Sequence, residues 1–456
     1  MLKKTNLFCI TLAAVFFLLP AAVWAGGGKD AIKGKKFVIG SWWDDYDVNT
    51  AKPTDEEGEL QLERRKKILK EHDFTVQAKV ISSFDNMMET VTTSIMAGKP
   101  AAHAFWLVPP WAVTLYRQGL ISPLNEGKSV DLKASAFIPY EQVAYNQDVA
   151  SIFTFDGKQY ALGIGYGDSQ HTSGVFYNKR LFKEAGLDPE LPYNMQKAGT
   201  WTWDNFLDLC KKLTRDRNNN GVIDTYAMPA GLSGEILEVL VFSNGADFVK
   251  KDSSGKFVNA SGSPEFLEAL HFARRLYNEG IMMPAPEGST AWDWHFNLFT
   301  EGKVAMTMDP SWRTWQLDAA KMSDDWGFVL GPKGPRAKDY RVPNDENVLV
   351  IPSTYKSAEV DAILTAINLW SIPVAANWKD VMYRACRDAR AVDETHTLLR
   401  TPGYTSFRMH TLIPNLNTGD IAWTMWWYDG DPAQLVESVS QNWNSLINET
   451  NVTKRK

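Results

Sequence analysis

Beyond its first 25 residues the chain alternates short apolar or β-branched runs with stretches of helical period. Lys36–Gly40 (KFVIG) reads as a strand that ends in glycine and runs into Ser41-Trp42-Trp43-Asp44-Asp45. Gly58 to His72 is a charged amphipathic helix, and Phe74–Ile81 alternates as a half-buried strand should. Asn86–Ala97 is helical, Ala104–Leu107 is a short buried strand, Pro109 and Pro110 break it, and Trp111–Gln118 is again helical. This strand–helix order at close spacing predicts parallel strands joined by crossover helices. Tyr160–Gly167 (YALGIGYG) is glycine-rich, and the chain resumes as strand Gly174–Tyr177. Helices follow at Leu181–Ala185, Trp203–Leu213, Ser263–Glu279 and Phe296–Gly302, with strands at Val304–Met308 and Val348–Ile351. Helices over Ala358–Trp370 and Pro432–Asn448 complete a mixed α/β pattern without a solenoid repeat.

The first segment changes the picture by setting a compartment. Lys3 and Lys4 precede an apolar run from Leu7 to Ala22, and Val23-Trp24-Ala25 puts small residues three and one before a cut after Ala25. Residues 1–25 are therefore expected to be a cleaved signal peptide that sends the protein to the periplasm. Cys9 lies too early to be a lipidation site. The 456 residues hold 48 Lys plus Arg against 54 Asp plus Glu, a charge of −6 that gives no reason to expect nucleic-acid binding. Loss of the two leader lysines makes it −8. Cys210 and Cys386 remain in the mature chain, both in helical patterns. An exported chain permits a bridge between them, but a small buried side chain in each helix is the favoured reading. The aromatic content is the unusual feature: 18 Trp, 15 Tyr and 22 Phe, more indole than a core of this size requires, which points to surfaces that stack against a partner.

Catalytic signatures are sparse. There is no H-E-x-x-H, paired C-x-x-C, phosphate loop or G-x-S-x-G, and Gly231-Leu232-Ser233-Gly234 reads as a turn. One cation motif is sharper. Asp216, Asn218, Asn220, Val222 and Asp224 fall at ligand positions 1, 3, 5, 7 and 9 of a calcium loop, with Gly221 at position 6. Position 12 is Ala227, without the usual bidentate carboxylate, so the choice between a structural calcium and an Asx-rich turn stays open. No other cofactor is expected.

GVFYNKRLFKEAGLD from Gly174, followed by TWTWDNFLDLCKKLTRDRNNNGVIDTYAM, resembles the middle of the extracellular solute-binding proteins (family 1) that serve carbohydrate ABC importers, the maltose-binding-protein-like group. SNGADFV (Ser243–Val249), FNLFTEGKVAMTMDPSW (Phe296–Trp312) and FWLVPPWAVTLYRQGLISPLNE (Phe105–Glu126) resemble further elements of that family in the same order. The resemblance implies an α/β, two-lobed periplasmic-binding-protein-like (type II) fold with a hinge and a ligand cleft. By analogy lobe one is 26–162 plus 309–375, and lobe two is 163–308 plus 376–456.

It also implies a function: a periplasmic, monomeric receptor, not an enzyme, that holds a sugar or sugar-derived solute between its lobes and delivers it to the transmembrane subunits of an ABC permease. A secreted glycoside hydrolase or lyase is the alternative, and a receptor for a non-sugar is a third reading. A sugar offers an apolar C–H face for an aromatic ring and a rim of hydroxyls for carboxylates, amides and Arg. On that chemistry the expected ligand contacts are Trp42, Trp43, Asp44 and Asp45 after the first strand, Trp106 after the third, and Tyr166 and Asp168 in the glycine-rich crossing. The resemblance adds Trp312, after VAMTMDPS, and Trp423, positions at which that family presents an aromatic to its ligand; Arg313 and Asn347, before strand Val348–Ile351, are further candidates.

Overall fold

The computed structural model describes residues 28–452 apart from 44, 54–55, 128, 133–144, 165–171, 232, 290, 292, 320–321, 372–377, 402 and 429. The expected leader, Asp44, Tyr166 and Asp168 therefore lie outside the described residues.

The chain begins with β1 (Lys35–Ser41), α1 (Glu56–His72), β2 (Phe74–Val80), α2 (Phe84–Met96), β3 (Ala104–Leu107) and α3 (Pro109–Arg117). β1 is central: it pairs in parallel with β2, Lys35 opposite Phe74, and with β3, Ile39 opposite Ala104. In β2 the alternation read from sequence is the burial pattern, with Phe74, Val76 and Ala78 inward. α2 buries Met87, Val91 and Ile95, four residues apart on one face. α3 starts on two prolines, whose missing N–H groups are unneeded in a first helical turn.

The middle of the chain forms β4 (Ser173–Asn178), α4 (Trp203–Leu213), α5 (Ser233–Ser243), α6 (Pro264–Asn278), α7 (Trp294–Thr300), β5 (Met306–Pro310), α8 (Arg313–Ala319) and β6 (Trp326–Leu330). β4 is buried at every residue, with antiparallel β5 and β6 on either side; Val175 faces Met308 and Phe176 faces Phe328. The rest comprises β7 (Val342–Asn344), β8 (Val348–Val350), α9 (Ser357–Ser371), α10 (Trp378–Cys386), β9 (Thr405–Phe407) and α11 (Pro432–Val452). β8 runs antiparallel to β3 and completes a first sheet in the order β8-β3-β1-β2, which α9 covers with Ile363, Ile367 and Trp370.

Each sheet has its own core. Part of the indole excess is spent inside the second: Trp201, Trp203, Trp326, Trp426 and Trp443 are all buried there. Trp201 Nε1 donates to the Leu330 carbonyl at 2.7 Å, and Trp203 stacks on Phe272 at 4.4 Å. The expected boundary at 309 shifts. β6, a strand that the periodicity reading passed over, pairs with β4, and Leu317, Tyr340 and Val342 pack in the same second core. The chain returns to the first sheet at Asn344–Val348, not at 309, because the WGFVL run of β6 has all five side chains buried against β4 and its surroundings. Ser233 and Gly234, expected as part of a turn, are instead the first residues of α5. Cys210 and Cys386 are unbridged and buried, and burial pushes both thiols up, Cys386 to about 12.

A Cβ at Gly174 would lie 2.6 Å from both the Phe328 ring and the Val329 carbonyl oxygen, and that oxygen belongs to the partner strand and cannot swing away. Gly174→Ala is expected to destabilise the second sheet by about 1–3 kcal/mol, read as a lower denaturant midpoint at unchanged slope.

Candidate functional site

In the first sheet, β2 and β3 lie on opposite sides of β1. The connections therefore leave a crevice beyond the carboxyl ends of β1 and β3, where open α/β sheets bind ligands. Trp42 and Trp43 follow β1 directly, and Trp106 is the third residue of β3. Since the two strands are parallel, their indoles gather at one edge: the Trp43 and Trp106 rings are 6.5 Å apart and inclined at 48°. Trp42 is the support beneath, edge-on to Trp43 (4.4 Å), Phe84 (5.3 Å) and Trp111 (5.6 Å). Trp43 is 48% exposed and Asp45 is exposed beside it.

The links between the sheets start here. Leu349, opposite Trp106 in the sheet, exchanges backbone hydrogen bonds with Leu162, and Ile164, two residues on, bridges to Tyr145. The return link is Asp345-Glu346-Asn347, and its two acids are held from opposite sides. Asn146, at the first core, donates to Glu346 at 2.6 Å, while Arg408 binds Asp345 at 3.1 Å. The Gly163 backbone lies against the Glu346 carboxylate, where a Cβ would come within 2.8 Å. Asn347 is half-buried in the link.

Arg408 is the centre of a network that the sequence reading missed. It also reaches Glu235 (2.6 Å) and Glu238 (2.7 Å) on α5; Ser173 donates to Glu235, and His410 lies 3.3 Å from Glu238. Burial pushes the Glu235 carboxyl up to about 7, against the pull of Arg408 and with help from the charges of Glu238 and Asp345. Glu238, facing both Arg408 and His410, is held below the usual carboxylate range despite its burial. No local pattern announces these residues; only an acid in the first turn of a helix opened by small residues was available as a signal.

On the second sheet, β5 ends at Asp309-Pro310 and delivers Trp312, which is half-buried. Arg313 is wholly buried, so the structure takes it out of ligand contact: its guanidinium lies 4.4 Å over the Trp312 ring and its Nε donates to Asp309 at 3.2 Å. His295 packs onto the same carboxylate at 3.3 Å. A Cβ on Gly231 would meet His295 at 2.5 Å and Trp294 at 3.1 Å, and one on Gly234 would lie 3.8 Å from Trp423 Nε1. These close approaches put Trp294 and Trp423 beside the start of α5. Trp423 is 60% exposed while its neighbour Trp426 is buried.

The 216–224 loop closes on itself. Asp216 accepts from the amides of Asn220 (3.2 Å) and Gly221 (2.6 Å), Asn218 from Asn220 (3.0 Å), and Asn220 from Val222 (2.8 Å). Arg217 occupies Asp224, with Nε at 2.9 Å. A cation would have to share these oxygens without a carboxylate at Ala227. Among the described residues no group of three or more His, Cys, Asp or Glu is arranged for a metal.

Two outcomes follow from this chemistry. Melting after dialysis against a chelator, with and without added calcium, is expected to give one and the same midpoint, since a bound ion would raise it. For Glu235 the folded value lies above the unfolded one of about 4.3. The folded state thus holds more protons between the two values, and stability is lost as pH rises through that window to about 7. Glu235→Gln, locked neutral, should melt progressively higher than the native chain as pH goes from about 5 to about 8.

Residues 63–373, more than half of the chain, match the family described as bacterial extracellular solute-binding protein. The arabinooligosaccharide-binding protein of Bacillus subtilis (strain 168) is 23% identical over 163 residues, 36% of this chain and 33% of that relative, so the match spans about a third of the curated relative's length. The solved ABC substrate-binding protein Lmo0181 of Listeria monocytogenes, in complex with cycloalternan, superposes with a TM-score of 0.59 at 18% identity, covering 91% of this chain and 100% of that one. UgpB from Mycobacterium tuberculosis, in complex with glycerophosphocholine, gives 0.60 at 16% identity over 86% and 95%. These likenesses show the two-lobed type II fold. With its strand-end indoles, its two separately cored sheets and this match along the chain, the protein belongs to the bacterial extracellular solute-binding family.

Proposed function

We propose that the solute is a sugar or short oligosaccharide, held between the Trp43–Trp106 pair on one lobe and Trp312 and Trp423, taken singly, on the other. The observation that carries this reading is the inclined indole pair at the switch point of the first sheet, with Asp45 exposed beside it. Such rings receive the C–H faces of a pyranose or furanose while a carboxylate takes its hydroxyls. Nothing covalent is needed; the solute is bound by the closed arrangement of the lobes in preference to the open one.

On this reading the chain works as a monomer in the periplasm after removal of residues 1–25, and passes its cargo to the transmembrane subunits of an ABC permease. Among the described residues no helix is long and apolar enough to cross a membrane. Support for a carbohydrate comes from the names of its relatives, one arabinooligosaccharide-binding and one solved with cycloalternan.

The test is a thermal-shift panel of arabinotriose, mannotriose, cycloalternan and glycerophosphocholine. At least one of the sugars should raise the melting temperature, since a ligand that binds only the native state stabilises it. A shift with glycerophosphocholine alone would replace the sugar reading. For the sugar that binds, Trp43→Ala should weaken affinity by about 10-fold or more with the ligand-free melting temperature nearly unchanged, because this ring is half in water.

A further inference from the structure

Trp312 differs from the other candidate rings in what lies behind it. The Arg313 guanidinium sits between two aromatic rings, its Cζ 4.4 Å from the centroid of Trp312 and 4.4 Å from that of Phe296. Its hydrogen bonds fix the plane of the plate: Nε donates to Asp309 Oδ1 at 3.2 Å and Nη1 to Gln316 Oε1. Asp309 is fixed in turn by Thr307 Oγ1 at 2.5 Å and faces His295 Nε2 at 3.3 Å. Arg313, Asp309, Thr307 and His295 are all buried, whereas Trp312 itself is only partly covered.

A buried ion pair is a poor way to gain stability, because desolvation of both charges consumes most of their attraction and an apolar pair of similar volume does as well. What an apolar residue cannot supply is direction. A planar cation with fixed donors can hold an indole at one inclination, and a lysine, a point charge on a flexible stem, cannot.

We propose that Arg313 is a positioning residue for solute binding: stacked between Phe296 and Trp312 and oriented by Asp309, it holds the Trp312 indole at a fixed inclination with its other face free for the solute. This rests on the reading of Trp312 as a stacking platform. Arg313 touches no ligand; it acts through the ring. The reason for an arginine beside this tryptophan is therefore its flat shape, with its charge answered locally by Asp309.

The experiment labels the protein with 5-fluorotryptophan and follows the Trp312 fluorine resonance, assigned by its absence in Trp312→Phe. In the ligand-free native chain that resonance should be a single narrow line. In Arg313→Lys, which keeps the charge opposite Asp309, it should broaden or split while the Trp423 line stays in place. Should Arg313→Lys fail to fold, the double variant Asp309→Asn with Arg313→Met removes both charges and is expected to show the same broadening. With arabinotriose as probe, Arg313→Lys should bind about 10-fold more weakly, and adding it to Trp312→Ala should weaken binding no further. An unchanged Trp312 line in a folded variant would overturn the proposal, as would a loss of affinity that adds in full to that of Trp312→Ala. If neither arabinotriose nor any other sugar binds, the functional reading falls, and the ligand-free fluorine spectra still decide the role of Arg313.

Discussion

A flat ring can hold a solute only if one face is supported by protein and the other is left to water. In this chain that requirement is met at strand ends. Trp43 is backed by Trp42, which is wedged against Phe84 and Trp111, and Trp312 is backed by Arg313 and Phe296. The supports differ in kind, apolar edge-to-face packing on the first lobe and a buried ion pair on the second, and the sheet topology decides where each platform lies. With β1 placed between β2 and β3, the sheet has the switch in strand order at whose carboxyl ends open α/β sheets bind ligands, and Trp43 stands there about half exposed.

Supported rings on two separately cored sheets are useful only if the sheets can approach and part. The link at Asp345-Glu346 bears on this. One acid is tied to Arg408 and through it to α5, and the next is tied to Asn146 beside the first core. The peptide between Asp345 and Glu346 thus joins a residue tied toward α5 to one tied toward the first core. The concentration of three carboxylates on Arg408 has a consequence for an exported protein, which meets whatever pH its surroundings have. Glu235 is pushed up to about 7 by burial, and it lies in the network that anchors the link.

Much of this was legible in the residues. The β1-α1-β2-α2-β3 order follows from alternating periods; Trp43 is a candidate from its position after a strand, and Trp106, Trp312 and Trp423 from the family resemblance. Three things were not. β6 escapes because WGFVL is too short and uniformly apolar to show a period, and the boundary at 309, drawn by analogy alone, does not follow the packing of β6, Tyr340 and Val342 in the second core. Arg313 was read as a ligand contact because sequence shows its charge and hides its burial. The Arg408 network was invisible because Ser173, Glu235, Asp345 and Arg408 are far apart along the chain and meet only through tertiary packing. The aromatic excess is divided: Trp43 and Trp423 stand exposed, while Trp201, Trp203, Trp326 and Trp443 fill the second core.

The most direct test of the account is a crystal structure of the protein grown with the sugar that gives the largest thermal shift. One sugar ring is expected against the free face of Trp43 or Trp106, another part of the same molecule against Trp312 or Trp423, and every covalent bond of the solute intact. A sugar bound on one lobe alone, away from all four indoles, or found cleaved, would contradict it.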